Sequence, residues 1–193
     1  MELVERRRYY FCQYCGTFHF LDSPAADGIQ ILARSPNATP CPACANPLVR
    51  SLLDKVHVVE HCERCRGALM PCAAFSDVVK SRRAWPTGPP VPPTPIDPRD
   101  LLRHITCPSC RGAMDVHPYY GPGNVVIDTC GQCYLVWLDH GELKEIADAP
   151  GQDRGRTNPT APRVSLPSGP LAATRDDTRP TLMDVLDELF GWG

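Results

Sequence analysis

Residues 107–146 read CPSCRGAMDVHPYYGPGNVVIDTCGQCYLVWLDHGELKEI. Two C-x-x-C pairs, Cys107/Cys110 and Cys130/Cys133, flank a gap of nineteen residues. A tight turn with thiolates at i and i+3 offers two corners of a tetrahedron. A second such turn, brought alongside by a hairpin, offers the other two, which is the donor set Zn²⁺ takes in a structural site. The intervening chain has the parts of that hairpin. Tyr120-Gly121-Pro122-Gly123-Asn124 is a dense turn signal, and Val125–Ile127 is a β-branched run for the returning strand. Beyond Cys133, Trp137–Leu143 reads as a helix start, with Asp139 as cap and Glu142 three residues on, as in a capping box. Leu143 and Ile146 share one face of that helix, expected against Trp137 and the hairpin. On this reading His140 and Glu142 are exposed or capping groups and not catalytic ones.

The same unit occurs earlier in the chain. From Cys41 the sequence reads CPAC, seventeen residues, CERC, then GALMPCAAFSDVV. Laid on the first cysteine pairs, Leu48 meets Met114; laid on the second, Val59 meets Ile127, Met70 meets Leu138, Phe75 meets Leu143 and Val78 meets Ile146. Val56–Val59 is the returning strand of this copy. Two copies of one supersecondary unit account for the pattern. Cys41, Cys44, Cys62 and Cys65 are the predicted ligands of one zinc ion, and Cys107, Cys110, Cys130 and Cys133 those of another. A unit of this size is too small for its apolar core alone, and structural zinc supplies ~10–16 kcal/mol of apparent folding free energy. With cysteine at all four positions no coordination site stays open for water.

CPSC…CGQC-Y-L-V-W-L-D-H-G-E-L resembles the transcription factor IIB-type zinc ribbon found in many small bacterial proteins, whose pattern is CPxC, about twenty residues, then CxxCxGxWLDxGEL. The resemblance is specific over 107–146 and looser over 41–79, where Met70-Pro71 replaces Leu-Asp. Tyr134-Leu135 departs from the usual x-Gly. The resemblance implies four cysteine ligands per unit and a ribbon fold. It implies neither DNA binding nor a transcriptional role.

The expected architecture is thus small, metal-stabilised and β-rich: tandem zinc ribbons, each a β-hairpin plus a short helix, at 41–85 and 99–148. Residues 86–98 hold seven prolines in thirteen positions and form an extended spacer. Residues 149–180, rich in Pro, Arg, Thr and Ser, are expected to be disordered. Residues 181–193 regain helical periodicity: Leu182, Val185, Leu186 and Leu189 line one face, as in a short docking helix. Residues 1–40 hold a further pair, Cys12/Cys15, and a hairpin of Phe18–Leu21 with Ile29–Leu32 around Ala-Ala-Asp-Gly.

Eleven cysteines in 193 residues, ten of them in five C-x-x-C pairs, dominate the composition. The opening MELVERRRYY places charge where a secretory signal needs an apolar core, and no run approaches the ~20 apolar residues of a membrane span. A reducing, cytoplasmic setting is expected, in which repeated C-x-x-C means metal before disulfide. Cys12/Cys15 is half a site for a third zinc. Its remaining ligands are open among His19, His57, His61 and Cys72, a pairing with Cys41/Cys44, or a second chain. Cys72 aligns with His140 and reads as a small apolar residue on a helix.

Three functions compete: an adaptor that binds protein partners through its ribbons or C-terminal helix, a nucleic-acid binder, and an enzyme or redox sensor. Residues 41–85 carry seven Lys/Arg against four Asp/Glu, and 99–148 four against seven. One mildly basic unit, with Lys80, Arg82 and Arg83 clustered, is offset by an acidic one, and a basic stripe interleaved with aromatics is missing. No open metal position, nucleophile–base pair or nucleotide fingerprint supports catalysis. The non-enzymatic adaptor is the preferred reading.

Overall fold

The structure, a computed structural model, describes residues 1–23, 27–36 and 38–151. Of the stretch expected to be disordered, 149–180, all but residues 149–151 lies outside these residues, as does the helix expected at 181–193.

Three short strands, β1 (Glu2–Val4), β2 (Tyr9–Phe11) and β3 (Phe18–Phe20), form an antiparallel sheet in that order. The next strand, β4 (Ile29–Ala33), belongs elsewhere. Strands thus form at both candidate positions in residues 1–40, but not as the expected hairpin. β3 pairs with β2, whereas β4 pairs with β5 (Leu48–Leu53) of the first repeat. Local β propensity marks the strands; longer-range partners select the pairing.

The first repeat continues through β6 (His57–Cys62), β7 (Ala68–Pro71) and helix α1 (Cys72–Ala84). Asp54 and Lys55, both left-handed at φ 52° and 63°, make the reversal between β5 and β6, a twist that matches the flanking strands. The second repeat has the same plan: β8 (Asp115–Pro118), β9 (Val126–Cys130), β10 (Leu135–Leu138) and α2 (Glu142–Asp148).

The repeats do not stand apart. β7 pairs antiparallel with β10, giving one seven-stranded sheet of order β4-β5-β6-β7-β10-β9-β8. Alternation along the two joining strands sorts their side chains onto opposite faces. Ala68, Met70, Val136 and Leu138 meet α1 and α2 in a core with Phe75, Val78 and Ile146. Leu69, Leu135 and Trp137 face the other way, into a cluster with Phe18, Ile105, Met114 and the cysteine pairs. A strand pair buried on both faces needs apolar residues at every position, and ALM and LVWL supply them.

The proline-rich segment does not hold the repeats apart either. Without regular secondary structure between Pro86 and Asp97, it returns along the second repeat. The Val91 amide donates to the Asp148 carbonyl at 2.8 Å, and Asn124 Nδ2 donates to the Thr94 carbonyl at 3.2 Å. Among the described residues no helix is long and apolar enough to cross a membrane.

Candidate metal centre

Each cysteine pair sits on the same backbone turn. In the turns at Cys41, Cys62 and Cys107, the amide of the first cysteine donates to the carbonyl five residues on. The amide four residues on donates back to that cysteine's carbonyl, all at 2.7–2.9 Å. The residue four on is left-handed in each: Ala45, Arg66 and Arg111, joined by Tyr134 in the fourth turn, at φ 55–64°. This bend turns both thiols of a pair to one side. In the fourth turn the Cys133 amide lies 3.4 Å from Cys130 Sγ, a donor that favours the thiolate.

The turns meet in pairs. The four sulfurs of Cys41, Cys44, Cys62 and Cys65 lie within 4.8 Å of one another, and so do those of Cys107, Cys110, Cys130 and Cys133. Cys41 and Cys65 Sγ are 3.6 Å apart, Cys44 and Cys62 3.5 Å, and Cys110 and Cys130 3.6 Å. A disulfide would bring them to ~2.0 Å. A tetrahedron with Zn–S bonds of ~2.3 Å has S–S edges of about 3.8 Å, so the spacing fits one zinc ion per cluster. Without a cation, four crowded thiols cannot all ionise. Hydrogen bonds with Cys41 and Cys65 push the Cys62 pKa down, while contacts with Cys41 and Cys62, together with burial, push Cys65 far up. A central dication reverses this conflict by stabilising all four thiolates. With all donors cysteine, neither cluster has a protein-designed vacancy for water or substrate.

Residues 106–149 match the family model described as a transcription factor zinc-finger, the zinc ribbon of transcription factor IIB. This segment is a zinc ribbon. The first repeat carries a four-cysteine cluster of the same kind on the equivalent strands, so the chain holds two ribbons. No curated protein and no solved structure matches the chain.

Cys12/Cys15 is different. Among the described residues no third His, Cys, Asp or Glu joins it in a metal-binding group. His19, exposed on β3, lies tilted beside Tyr10 with ring centroids 6.4 Å apart. His61 is buried on β6 with neither ring nitrogen hydrogen-bonded among the described residues. Cys72 opens α1 against the helix-side core, as a small apolar residue would. Cys41/Cys44 is already complete with its own partners. Cys15 is held low, near 7, by hydrogen bonds from Thr17 and Cys12.

Beside the second ribbon lies a buried charge cluster. Asp139 accepts from Arg7 at 2.5 Å, from Trp137 Nε1 at 2.9 Å, and from Arg103. Arg7 also donates to Glu142 at 2.7 Å, and Arg103 pairs with Asp128 at 3.1 Å. The other Glu142 oxygen accepts the Asp139 amide at 2.7 Å, the backward reach of a capping box, although the N-cap position is taken by left-handed Gly141. Burial acts to raise the Asp139 pKa, but Arg7 and Arg103 overcome it and hold the carboxyl well below its usual range. Burial carries Glu142 up to about 8 against the pull of Arg7, and Asp128 to about 6 against that of Arg103.

This corrects the expectation of solvent exposure. Glu142 is 2% exposed, and His140 is buried with its ring 4.6 Å from that of Phe20. The N-terminal sheet covers both. Arg66 stacks over Phe20 at 4.2 Å from the first ribbon, so Phe20 lies between the two ribbons. Nothing local in the sequence couples Arg7 to a carboxylate 132 positions away.

The basic cluster of the first ribbon is largely consumed internally. Arg82 pairs with Asp54 at 2.7 Å. Arg83 donates to the carbonyls of Ile146, Ala149 and Gly151 at 2.6–2.9 Å.

Proposed function

We propose that this chain is a non-enzymatic adaptor, whose zinc ribbons form a rigid platform for protein partners in a transcription-associated setting. One observation carries the reading: both clusters are closed sets of four cysteines, so the metal maintains the fold and does no chemistry on a substrate. The buried carboxylates beside the second ribbon are engaged by Arg7 and Arg103 and serve the interior. Trp85, 81% exposed after α1, is the kind of residue that anchors protein interfaces.

The nucleic-acid reading weakens with Arg82 and Arg83, since guanidinium groups held by a carboxylate and by backbone carbonyls are poorly placed for phosphate. The test is retention of partners from nuclease-treated extract by zinc-loaded protein, compared with Trp85→Ala and with a chain ending at Pro180. Partners that survive nuclease and are lost in one of these variants support the adaptor. Retention abolished by nuclease, together with salt-dependent binding of a DNA or RNA duplex, would replace it with the nucleic-acid reading.

A further inference from the structure

The turn at Cys12/Cys15 is built like the turns that hold metal. The Cys12 amide donates to the Thr17 carbonyl at 3.0 Å, and the Gly16 amide donates to the Cys12 carbonyl at 2.8 Å. Gly16 is left-handed at φ 65°, matching Ala45, Arg66, Arg111 and Tyr134. A backbone that repeats this conformation five times, four of them inside four-cysteine clusters, is shaped for a metal in the fifth.

The turn is also held in place. β2 leads into it and β3 leads out, paired with each other. Arg64, inside the C-x-x-C of the first ribbon, donates to the carbonyls of Cys15 and Gly16 at 3.5 and 3.0 Å. Its tip points outward: Gln13, Tyr14 and Cys15 are all exposed, Tyr14 completely.

Among the described residues no side chain supplies the missing donors. Every cysteine and histidine of the 193 residues lies within the described part, and none joins Cys12 and Cys15 in a group of three. Zinc held by two thiolates takes two more ligands to complete its tetrahedron. A second copy of the same turn offers them in the same form as within the ribbons, and a two-fold axis through the metal satisfies both copies at once. We propose that two copies of the chain share one zinc ion, bound by Cys12 and Cys15 of each. The four thiols release their protons to solvent on binding. Four thiolates on one dication leave a net charge of −2, which Arg64, beside each turn, partly offsets. The remaining contact between copies is confined to the tip, so association depends on the metal.

The test is native mass spectrometry and sedimentation of the full chain, reduced and titrated with zinc, alongside Cys12→Ser/Cys15→Ser. The expected wild-type species is a dimer with five zinc ions. Mild chelation should return it to monomers with two each, since neither cysteine of the shared site is buried, whereas each ribbon site has at least two buried cysteines. The double variant should stay monomeric with two zinc ions and an unchanged circular dichroism spectrum. Wild-type chelation gives the same answer if that variant folds poorly. A monomer with three zinc ions would place the missing ligands within one chain and overturn the proposal. So would saturation at two zinc ions per chain without a dimer, or a dimer indifferent to chelator.

Discussion

Leu69 and Trp137 face each other where β7 meets β10, and each is the other's counterpart in the repeat. Trp137 follows Leu69 by the same interval that separates Cys62 from Cys130 and Cys65 from Cys133. The flanking pairs, Ala68 with Leu138 and Met70 with Val136, exchange under the same correspondence. The two ribbons therefore associate about a local two-fold axis, in the isologous manner of a symmetric dimer. The symmetry is broken where size demands it. Gly67 lies under the Trp137 ring, with no room for even a methyl group. Its counterpart Leu135 stands instead beside the smaller Leu69, in the same apolar cluster. The residue at the x-Gly position after Cys133 is Leu135, and the glycine that clears space for Trp137 comes from the other ribbon.

Gly67→Ala tests that contact. Its Cβ would fall 2.2 Å from Trp137 Cζ2 and 3.0 Å from the Leu138 carbonyl oxygen, and overpacking of this kind costs about 1–3 kcal/mol. The unfolding midpoint should fall accordingly. Trp137→Leu should destabilise on its own account by opening a cavity, but the double variant should cost less than the two together. Additive costs would mean that Gly67 and Trp137 do not restrain each other.

Loss of one zinc site should unfold both ribbons. With Cys110→Ser the second cluster keeps three thiols, and β8 to β10 lose the link that closes their hairpin. Because β7 pairs with β10 and α1 shares a core with Ile146, the first ribbon would lose a paired strand and the apolar cover of Val136, Leu138 and Ile146. Amide exchange should show lost protection across β5–β7 as well as β8–β10, and ribbon-bound zinc should drop below two ions per chain. Protection retained over β5–β7 would show that the sheet is not one cooperative body.

Asp139→Asn should be the most damaging single change in the charge cluster. It leaves the largely buried Arg7 and Arg103 without their shared carboxylate, though each keeps a second one, Glu142 and Asp128. The cost should therefore fall below the ~3–5 kcal/mol of breaking a fully buried pair from one side. Zinc content should be unchanged, since no ligand is touched. Exchange should rise first in β1–β3, which Arg7 ties to the second ribbon. A variant with wild-type stability would assign the cluster no structural weight.

Glu142 predicts a pH dependence of definite sign. Burial raises its folded-state value to about 8, above the ~4.3 of an unfolded chain. Between these values the folded protein retains a proton that the unfolded chain has released, so stability falls as pH rises, by up to about 1.4 kcal/mol per unit. Glu142→Gln removes this slope. Comparing unfolding midpoints of the two proteins from pH 6 to 8.5 cancels the zinc-linked protons common to both. The variant should gain on wild type until about pH 8 and no further; parallel profiles would refute the raised value.

The sequence by itself determined the parts whose causes are local. A thiolate pair on a tight turn needs only adjacent residues, so Cys41, Cys44, Cys62, Cys65, Cys107, Cys110, Cys130 and Cys133 are legible from spacing and repetition. The strands leading to and from them follow from β-branched runs and turn residues. Strand partners, burial of polar groups and the relation of the ribbons were decided only by tertiary structure. Seven prolines suggest separation because they stiffen the local chain, yet they cannot specify where the chain goes. The edges of β7 and β10 carry unpaired backbone groups and apolar residues on both faces, and each ribbon satisfies them most fully with the other. His140 and Glu142 look like surface residues until Arg7, from the far end of the chain, closes over them, because the energy of a buried charge depends on neighbours that sequence distance does not reveal.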